Sequence, residues 1–215
     1  MDASANHEDP IVIVVDDDSS LRGAVSSLLR STGLRVETFG SVAEFLDADL
    51  PAAVSCLILD IRLPGQSGLD LQAELVREDI RIPIIFISGY GDVPMTVRAM
   101  KAGAIDFLPK PFSDQEILNA VAVALERDRA RRDTEQMRSD LQARFQSLTS
   151  REREVMGYVT SGLLNKQTAH EMGLSEITVK VHRGNVMRKM AARSLPDLVR
   201  MAETLGPLRG EATRR

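Results

Sequence analysis

The chain has 215 residues, 43% of them hydrophobic and 27% charged, with a formal net charge of −4; this is ordinary for a soluble globular protein of one large or two small domains. No run approaches ~18 consecutive apolar residues, and the stretch from Met1 to Pro10 is acidic and polar, so neither a transmembrane helix, nor membrane association, nor a signal peptide is expected. The net charge hides a division, because residues 1–128 hold 10 Lys+Arg against 21 Asp+Glu while residues 129–215 hold 17 against 10; two halves with different partners are implied, the basic one suited to a polyanion.

From Ile11 the pattern alternates. Runs at Ile11–Val15, Arg35–Phe39, Cys56–Leu59, Ile82–Ile87 and Asp106–Leu108 read as strands, with helical segments near Ser19–Ser31, Ser41–Ala48, Ser67–Val76 and Met95–Ala102 between them. Ser19, Ser41 and Ser67 fit N-caps, and Gly33 and Gly103 fit C-caps. Five strands alternating with helices predict an α/β fold with a doubly wound parallel sheet, whose ligand site gathers at the carboxyl ends of the strands. Cys56, the single cysteine, lies inside the third strand. It cannot close an intrachain disulfide, and a small apolar core role in a reducing, cytoplasmic setting is expected.

The residues at the strand ends are chemically related. Asp16, Asp17 and Asp18 follow the first strand, Asp60 the third, Ser88 the fourth, and Lys110-Pro111 the fifth. Each position alone has an ordinary structural reading, as a helix N-cap or the end of an element. Four such positions at successive strand ends place acids, a hydroxyl and a lysine on one edge. Clustered carboxylates repel unless a divalent cation neutralises them, and hard oxygen ligands select Mg²⁺. A lysine beside them can pair with a carboxylate or with a phosphoryl oxygen.

The segments Val15-Asp16-Asp17-Asp18, Leu59-Asp60-Ile61-Arg62-Leu63-Pro64-Gly65, Ile87-Ser88-Gly89 and Lys101 through Phe112 together resemble a response-regulator receiver domain over roughly residues 10–125. That resemblance implies the strand order 2-1-3-4-5 and phosphotransfer from a sensor histidine kinase to Asp60. Asp17, Asp60 and the backbone carbonyl of Arg62 would ligate Mg²⁺, with Asp16 acting mainly through bound water. Lys110 and the Ser88 hydroxyl would each hold a phosphoryl oxygen, and a cis Lys110-Pro111 bond is implied. Phosphorylation would draw Ser88 inward and Phe107 into the space vacated, altering the surface of the fourth helix and fifth strand.

Further along, Ser113-Asp114-Gln115-Glu116 is a capping-box pattern ahead of Ile117 and Leu118. No Gly or Pro occurs between Ser113 and Gly157, so a long helical linker over 126–147 is expected, with Glu126–Glu135 solvated. Met137, Leu141, Phe145 and Leu148 then return to helical spacing. They suit either a helix paired with its twin in a dimer or a stripe packed on the C-terminal domain.

Beyond Leu148 four short helices are expected, near Ser150–Ser161, Lys166–Met172, Glu176–Met190 and Ser194–Thr204. The turn Met172-Gly173-Leu174-Ser175 makes the middle pair a helix-turn-helix. On the second helix of that motif Val179, His182, Val186 and Met190 share one face, and Ile177, Lys180, Val181, Gly184 and Arg188 the opposite one. The second face would enter a major groove, with Lys180 and Val181 at base edges and Arg183 and Arg188 at phosphates. Gly184 would let the backbone approach DNA closely. His182 reads as a satisfied structural histidine or a phosphate contact at the rim rather than a catalyst.

Leu148 through Val155, Asn165-Lys166-Gln167 and Thr178 through Arg183 resemble a LuxR/NarL-type DNA-binding domain over 148–207. With Asp92-Val93-Pro94-Met95 and Ser194 through Arg200, the whole chain is similar to a FixJ-type response regulator. That implies a homodimer when phosphorylated, double-stranded promoter DNA as partner with Lys166 and His182 among the contacts, and RNA polymerase as a candidate further partner. A metal-dependent phosphohydrolase working through the same acyl phosphate would need an acid or base beside its nucleophile. Ile61-Arg62 offers no carboxylate two residues on, so a regulator rather than an enzyme is expected. A regulator that ignores phosphorylation would leave the acidic and lysine set without a purpose.

Overall fold

Strands buried on both faces need no polar alternation, and three of the five here show none. In the computed structural model, which describes residues 9–49, 53–89 and 93–206, every residue of β1 (Ile11–Val15), β3 (Ser55–Asp60) and β4 (Ile84–Ser88) is buried. The edge strands β2 (Arg35–Phe39) and β5 (Asp106–Pro109) are half-exposed, and Pro109 is tolerated at an edge because no ladder donor is required there. All pairings are parallel, in the order β2-β1-β3-β4-β5. The expected doubly wound sheet is therefore present. Asp92, Pro207 and the stretch from Met1 to Glu8 lie outside the described residues.

Alternate strand residues feed two separate cores, as the two-residue period requires. Val12, Val14, Cys56, Ile58, Ile85 and Ile87 point to one face, where they meet α1 (Ser19–Ser31) and α5 (Asp114–Gln146). Ile13, Val15, Leu57, Leu59 and Phe86 point to the other, covered by α2 (Val42–Leu46), α3 (Gly68–Arg77) and α4 (Val93–Lys101). The second half adds α6 (Ser150–Thr160), α7 (Asn165–Met172), α8 (Glu176–Met190) and α9 (Leu195–Leu205). The chain divides into two compact units, Met1–Arg132 and Asp133–Arg215.

Several local expectations need correction. Ser19 is the first helical residue of α1; the N-cap is Asp18, whose carboxylate accepts the Ser20 and Leu21 amides at 2.8 and 3.2 Å. Carboxylate and hydroxyl are both good caps, and here the residue before the helix takes the role. Ser41 and Ser67 do cap α2 and α3, and Gly33 and Gly103 adopt positive φ just past α1 and α4. β4 begins at Ile84, two residues later than the apolar run.

The charged stretch Glu126–Glu135 is not wholly solvated. Asp128 is fully buried: its Oδ2 accepts the amide of Ser55 at 3.0 Å at the start of β3, and Arg131 and Arg132 hold its two oxygens at 2.6 and 2.7 Å. The arginines follow at i+3 and i+4, the helical spacing that lets them meet one carboxylate. Burial pushes the neighbouring Cys56 thiol up to about 12, with the Asp128 charge adding to the rise. Within the second unit Leu141 and Phe145 pack with buried Leu148 against Met156, Val186 and Leu198. The stripe is thus mostly core of that unit, although Met137 stays 66% exposed.

The second unit has its own buried ion pair. Thr149 and Glu152 form a capping box at α6, and Glu152 also accepts Lys189 of α8 at 2.7 Å. Burial works to raise the Glu152 carboxyl, but the hydrogen bonds from Lys189 and Thr149 outweigh it and hold the group below the usual carboxylate range. A folded-state value below the unfolded one contributes stability above the unfolded value, and that contribution is lost as pH falls through the folded one. We therefore expect Lys189→Met to lower unfolding free energy by about 1–2 kcal/mol at pH 7, with the difference from the parent shrinking as pH drops below the ordinary glutamate range. Urea titrations of both proteins across that range check it; a difference independent of pH would show that Lys189 acts through packing alone.

Candidate functional site

Four of the five strand ends each deliver one group to the same edge of the sheet. Asp16 follows β1, Asp60 ends β3, Ser88 ends β4, and Lys110 follows β5. Parallel pairing sets Asp60 beside Ile87 and Ser88 beside Pro109, so the four groups converge without any loop having to carry them far. Lys110 Nζ donates to Asp16 Oδ2 at 2.6 Å and to Asp60 Oδ2 at 2.7 Å. The other oxygens are also engaged: the Asp18 amide donates to Asp16 Oδ1 at 2.8 Å, and the Arg62 amide to Asp60 Oδ1 at 3.0 Å. The Lys110 amide donates to the Ser88 carbonyl at 2.7 Å, and the Lys110-Pro111 peptide is cis.

Electrostatics follow from this crowding. Burial pushes the Asp16 carboxyl above its ordinary value against the pull of Lys110 and the Asp18 amide, and the nearby Asp60 charge adds to the rise. Burial alone would lower the Lys110 ammonium, but the hydrogen bonds it donates to both carboxylates and their attraction hold it above its ordinary value. Asp16 and Asp60 are buried, while Asp17 is exposed. Asp16, Asp17 and Asp60 each present an oxygen within 4.8 Å of the others. That spacing and an all-oxygen donor set fit a hard divalent cation. One lysine for three carboxylates leaves the cluster short of positive charge, which supports the same fit.

Two supports of this edge were not apparent from the sequence. Arg22, on the first turn of α1, donates through Nη1 to the Asp16 carbonyl oxygen. At Gly68, the first residue of α3, a Cβ would collide with the Asp60 carbonyl oxygen and stand 3.0 Å from Leu59 Cγ. The helix therefore starts against the backbone of the residue that carries the site, an approach only glycine allows. In the sequence Gly68 belongs to the helical segment Ser67–Val76, which carries no sign of this contact. Phe107 is half-buried and packs on the core that contains Phe86 and Ala99.

In the second unit α7 and α8 meet through Gly173, left-handed at φ 64°, followed by Ser175, whose hydroxyl accepts the Thr178 amide at 3.1 Å. Val179, Val186 and Met190 are buried, whereas Ile177, Lys180, Val181, Gly184 and Arg188 are all exposed. The two faces thus divide as the helical angle predicts. Lys166 is exposed at the start of α7. Arg183 is half-buried and donates to Asn165 Oδ1 at 3.0 Å, a tie between α7 and α8 that the sequence did not suggest. His182 departs from the satisfied histidine expected: its Nδ1 is enclosed and has no hydrogen-bond partner among the described residues. No helix among the described residues is long and apolar enough to cross a membrane.

Comparison with known proteins agrees with both halves. The family model "Response regulator receiver domain" matches residues 12–122, and "Bacterial regulatory proteins, luxR family" matches residues 146–202. Nodulation protein W of Bradyrhizobium diazoefficiens is 59% identical over 196 residues, covering 91% of this chain and 86% of that protein. Transcriptional regulatory protein FixJ of Rhizobium meliloti is 43% identical over 194 residues, covering 90% and 95%. The solved structure of the response regulator StyR matches with a TM-score of 0.85 at 49% identity, covering 91% of this chain and 99% of that one. The family consists of transcriptional regulators, not enzymes. With a receiver sheet in its first half and a LuxR-type helix-turn-helix in its second, this chain belongs to the two-component response regulators.

Proposed function

We propose that Asp60 accepts a phosphoryl group from the phosphohistidine of a sensor histidine kinase, and that this promotes dimerisation and controls binding to specific promoter DNA. The observation that carries the reading is Lys110 Nζ held between Asp16 and Asp60 at 2.6 and 2.7 Å. An Asp60 oxygen attacks phosphorus, the P–N bond to histidine breaks, and the electron pair leaves with the imidazole. Lys110, released from its carboxylates, then holds a phosphoryl oxygen, and the Ser88 hydroxyl holds another. Mg²⁺ would be held by Asp17, Asp60 and the Arg62 carbonyl, with Asp16 acting through water, and would supply the positive charge that offsets the transferring group. Arg62, two residues beyond Asp60, is exposed and offers no acid or base for rapid hydrolysis, which supports a lasting signal.

The receiver would span 10–125, the linker 126–147 and the DNA reader 148–207. Val93, Val97 and Met100 form an exposed apolar stripe along α4, beside β5 where Phe107 would move. That stripe supports self-association when the Ser88–Phe107 packing changes. Lys166, Lys180, Val181, Arg183, Gly184 and Arg188 would face DNA, with His182 at the rim. A DNA partner and one buried thiol suit the cytoplasm.

The test is sedimentation and gel shift on a duplex with two half-sites, before and after incubation with an acyl phosphate donor and Mg²⁺. Phosphorylation is expected to raise the dimer fraction and to tighten binding by about 10-fold or more, the size of a coupling of 1–3 kcal/mol. Val97→Asp should take up phosphate normally yet remain monomeric. Identical dimer fraction and affinity with and without phosphate would remove the switch.

A further inference from the structure

A helix surface that meets water is usually polar, and α8 breaks this rule at one place. Ile177 is 78% exposed and Val181, one turn later, 58%. At about 100° per residue the two side chains point within about 40° of each other, with Gly184 and Arg188 continuing the same stripe. The buried side of the helix is already complete with Val179, Val186 and Met190, so neither residue is needed for the core. Ile177 lies in the first turn, after the Ser175 cap, and the first turns of a groove-entering helix are the part that reaches base edges.

The chemistry of the stripe restricts its partner. Lys180, Arg183 and Arg188 surround it with positive charge, which suits phosphates on either side. Isoleucine and valine neither donate nor accept hydrogen bonds. Among the groups that base pairs display in the major groove, the thymine C5-methyl is the apolar one. A Cβ at Gly184 would meet nothing within 4 Å, so no side chain of that residue holds the helix away from a groove floor.

We propose that Ile177 is a specificity-determining residue that, together with Val181, reads thymine methyl groups in the major groove. The proposal rests on α8 being the DNA-entering helix. It adds Ile177 to the residues assigned to base reading and names the base feature read.

The test uses the full-length protein, with and without acyl phosphate donor, to enrich duplexes from a random-sequence pool. In the enriched duplex each thymine is then replaced in turn by deoxyuridine, which removes one methyl group and keeps every hydrogen bond. One or two positions per half-site should lose affinity about 3- to 10-fold on replacement, the size of one buried methyl contact. Ile177→Ser should abolish that preference at one position, so that its thymine and deoxyuridine duplexes bind alike there, and Ile177→Val should restore part of it. Equal affinity for thymine and deoxyuridine everywhere, or an unchanged preference in Ile177→Ser, would overturn the proposal while DNA binding stands. Failure to enrich any sequence would instead overturn the DNA-binding reading, and this proposal with it.

Discussion

Asp60→Asn is expected to reduce phosphoryl incorporation from an acyl phosphate donor to background, a loss of roughly 1000-fold or more as for other removed nucleophiles. Asparagine keeps the side-chain volume and the oxygen that accepts the Arg62 amide at 3.0 Å, so the loop after β3 has no reason to move. What it lacks is the anionic nucleophile. Because one of three mutually repelling carboxylates is gone, the variant should be as stable as the parent or more so, and an unfolding titration separates lost chemistry from lost fold. In the parent the label should be acid-stable and hydroxylamine-labile, and chelation of divalent cations should prevent its uptake. Label persisting in Asp60→Asn would place the acceptor elsewhere.

Asp128→Ala should destabilise the first unit by about 2–3 kcal/mol. The substitution strands a buried amide at Ser55 and removes one carboxylate that two arginines share; an unsatisfied buried donor costs roughly 1–3 kcal/mol, and the lost contact to the partly exposed arginines adds a smaller amount. Cys56 supplies a probe next to the lesion. Its thiol is fully buried and its ionisation is pushed up to about 12, so an alkylating reagent reaches it only through opening of the sheet. A loss of ~3 kcal/mol corresponds to a rise of roughly 100-fold in the open population, and Cys56 labelling should accelerate accordingly. Asp128→Asn keeps the oxygen facing Ser55 and should fall between. Unchanged labelling in Asp128→Ala would mean that the carboxylate is not a structural tie.

The receiver half was legible because its signals are local. β1, β3 and β4 announce themselves as apolar runs, and the functional residues sit immediately beyond them. Asp60 and Ser88 belong to the last position of their strands rather than the first of their loops, a shift of one residue that leaves the chemistry in place. In the DNA-binding half the helical angle separated Val179, Val186 and Met190 from Ile177, Lys180, Val181, Gly184 and Arg188 without any knowledge of the fold. At Ser19 the sequence misleads, because Asp18 is an equally good cap and composition does not rank two adjacent candidates. Met137 shares the helical spacing of Leu141 and Phe145 yet stays exposed, because spacing defines a stripe but not where the core ends.

The tertiary structure decided everything that depends on partners far away in the chain. Lys110 meets Asp16 across 94 residues and Asp60 across 50, and Asp128 meets Ser55 across 73. Periodicity carries no information about such pairs: a run of Glu, Arg and Asp looks solvated until one of its carboxylates finds a strand amide to accept. Likewise Gly68 is only one residue of a helical segment in the sequence, and becomes indispensable when the Asp60 carbonyl occupies the space a side chain would need. By itself the sequence determined the strands, the helix faces and the kinds of groups at each strand end, because backbone period and side-chain chemistry are properties of neighbours. Only the fold decided which charges pair and which carboxylate is buried, because burial is set by elements that close over one another after the chain has turned back.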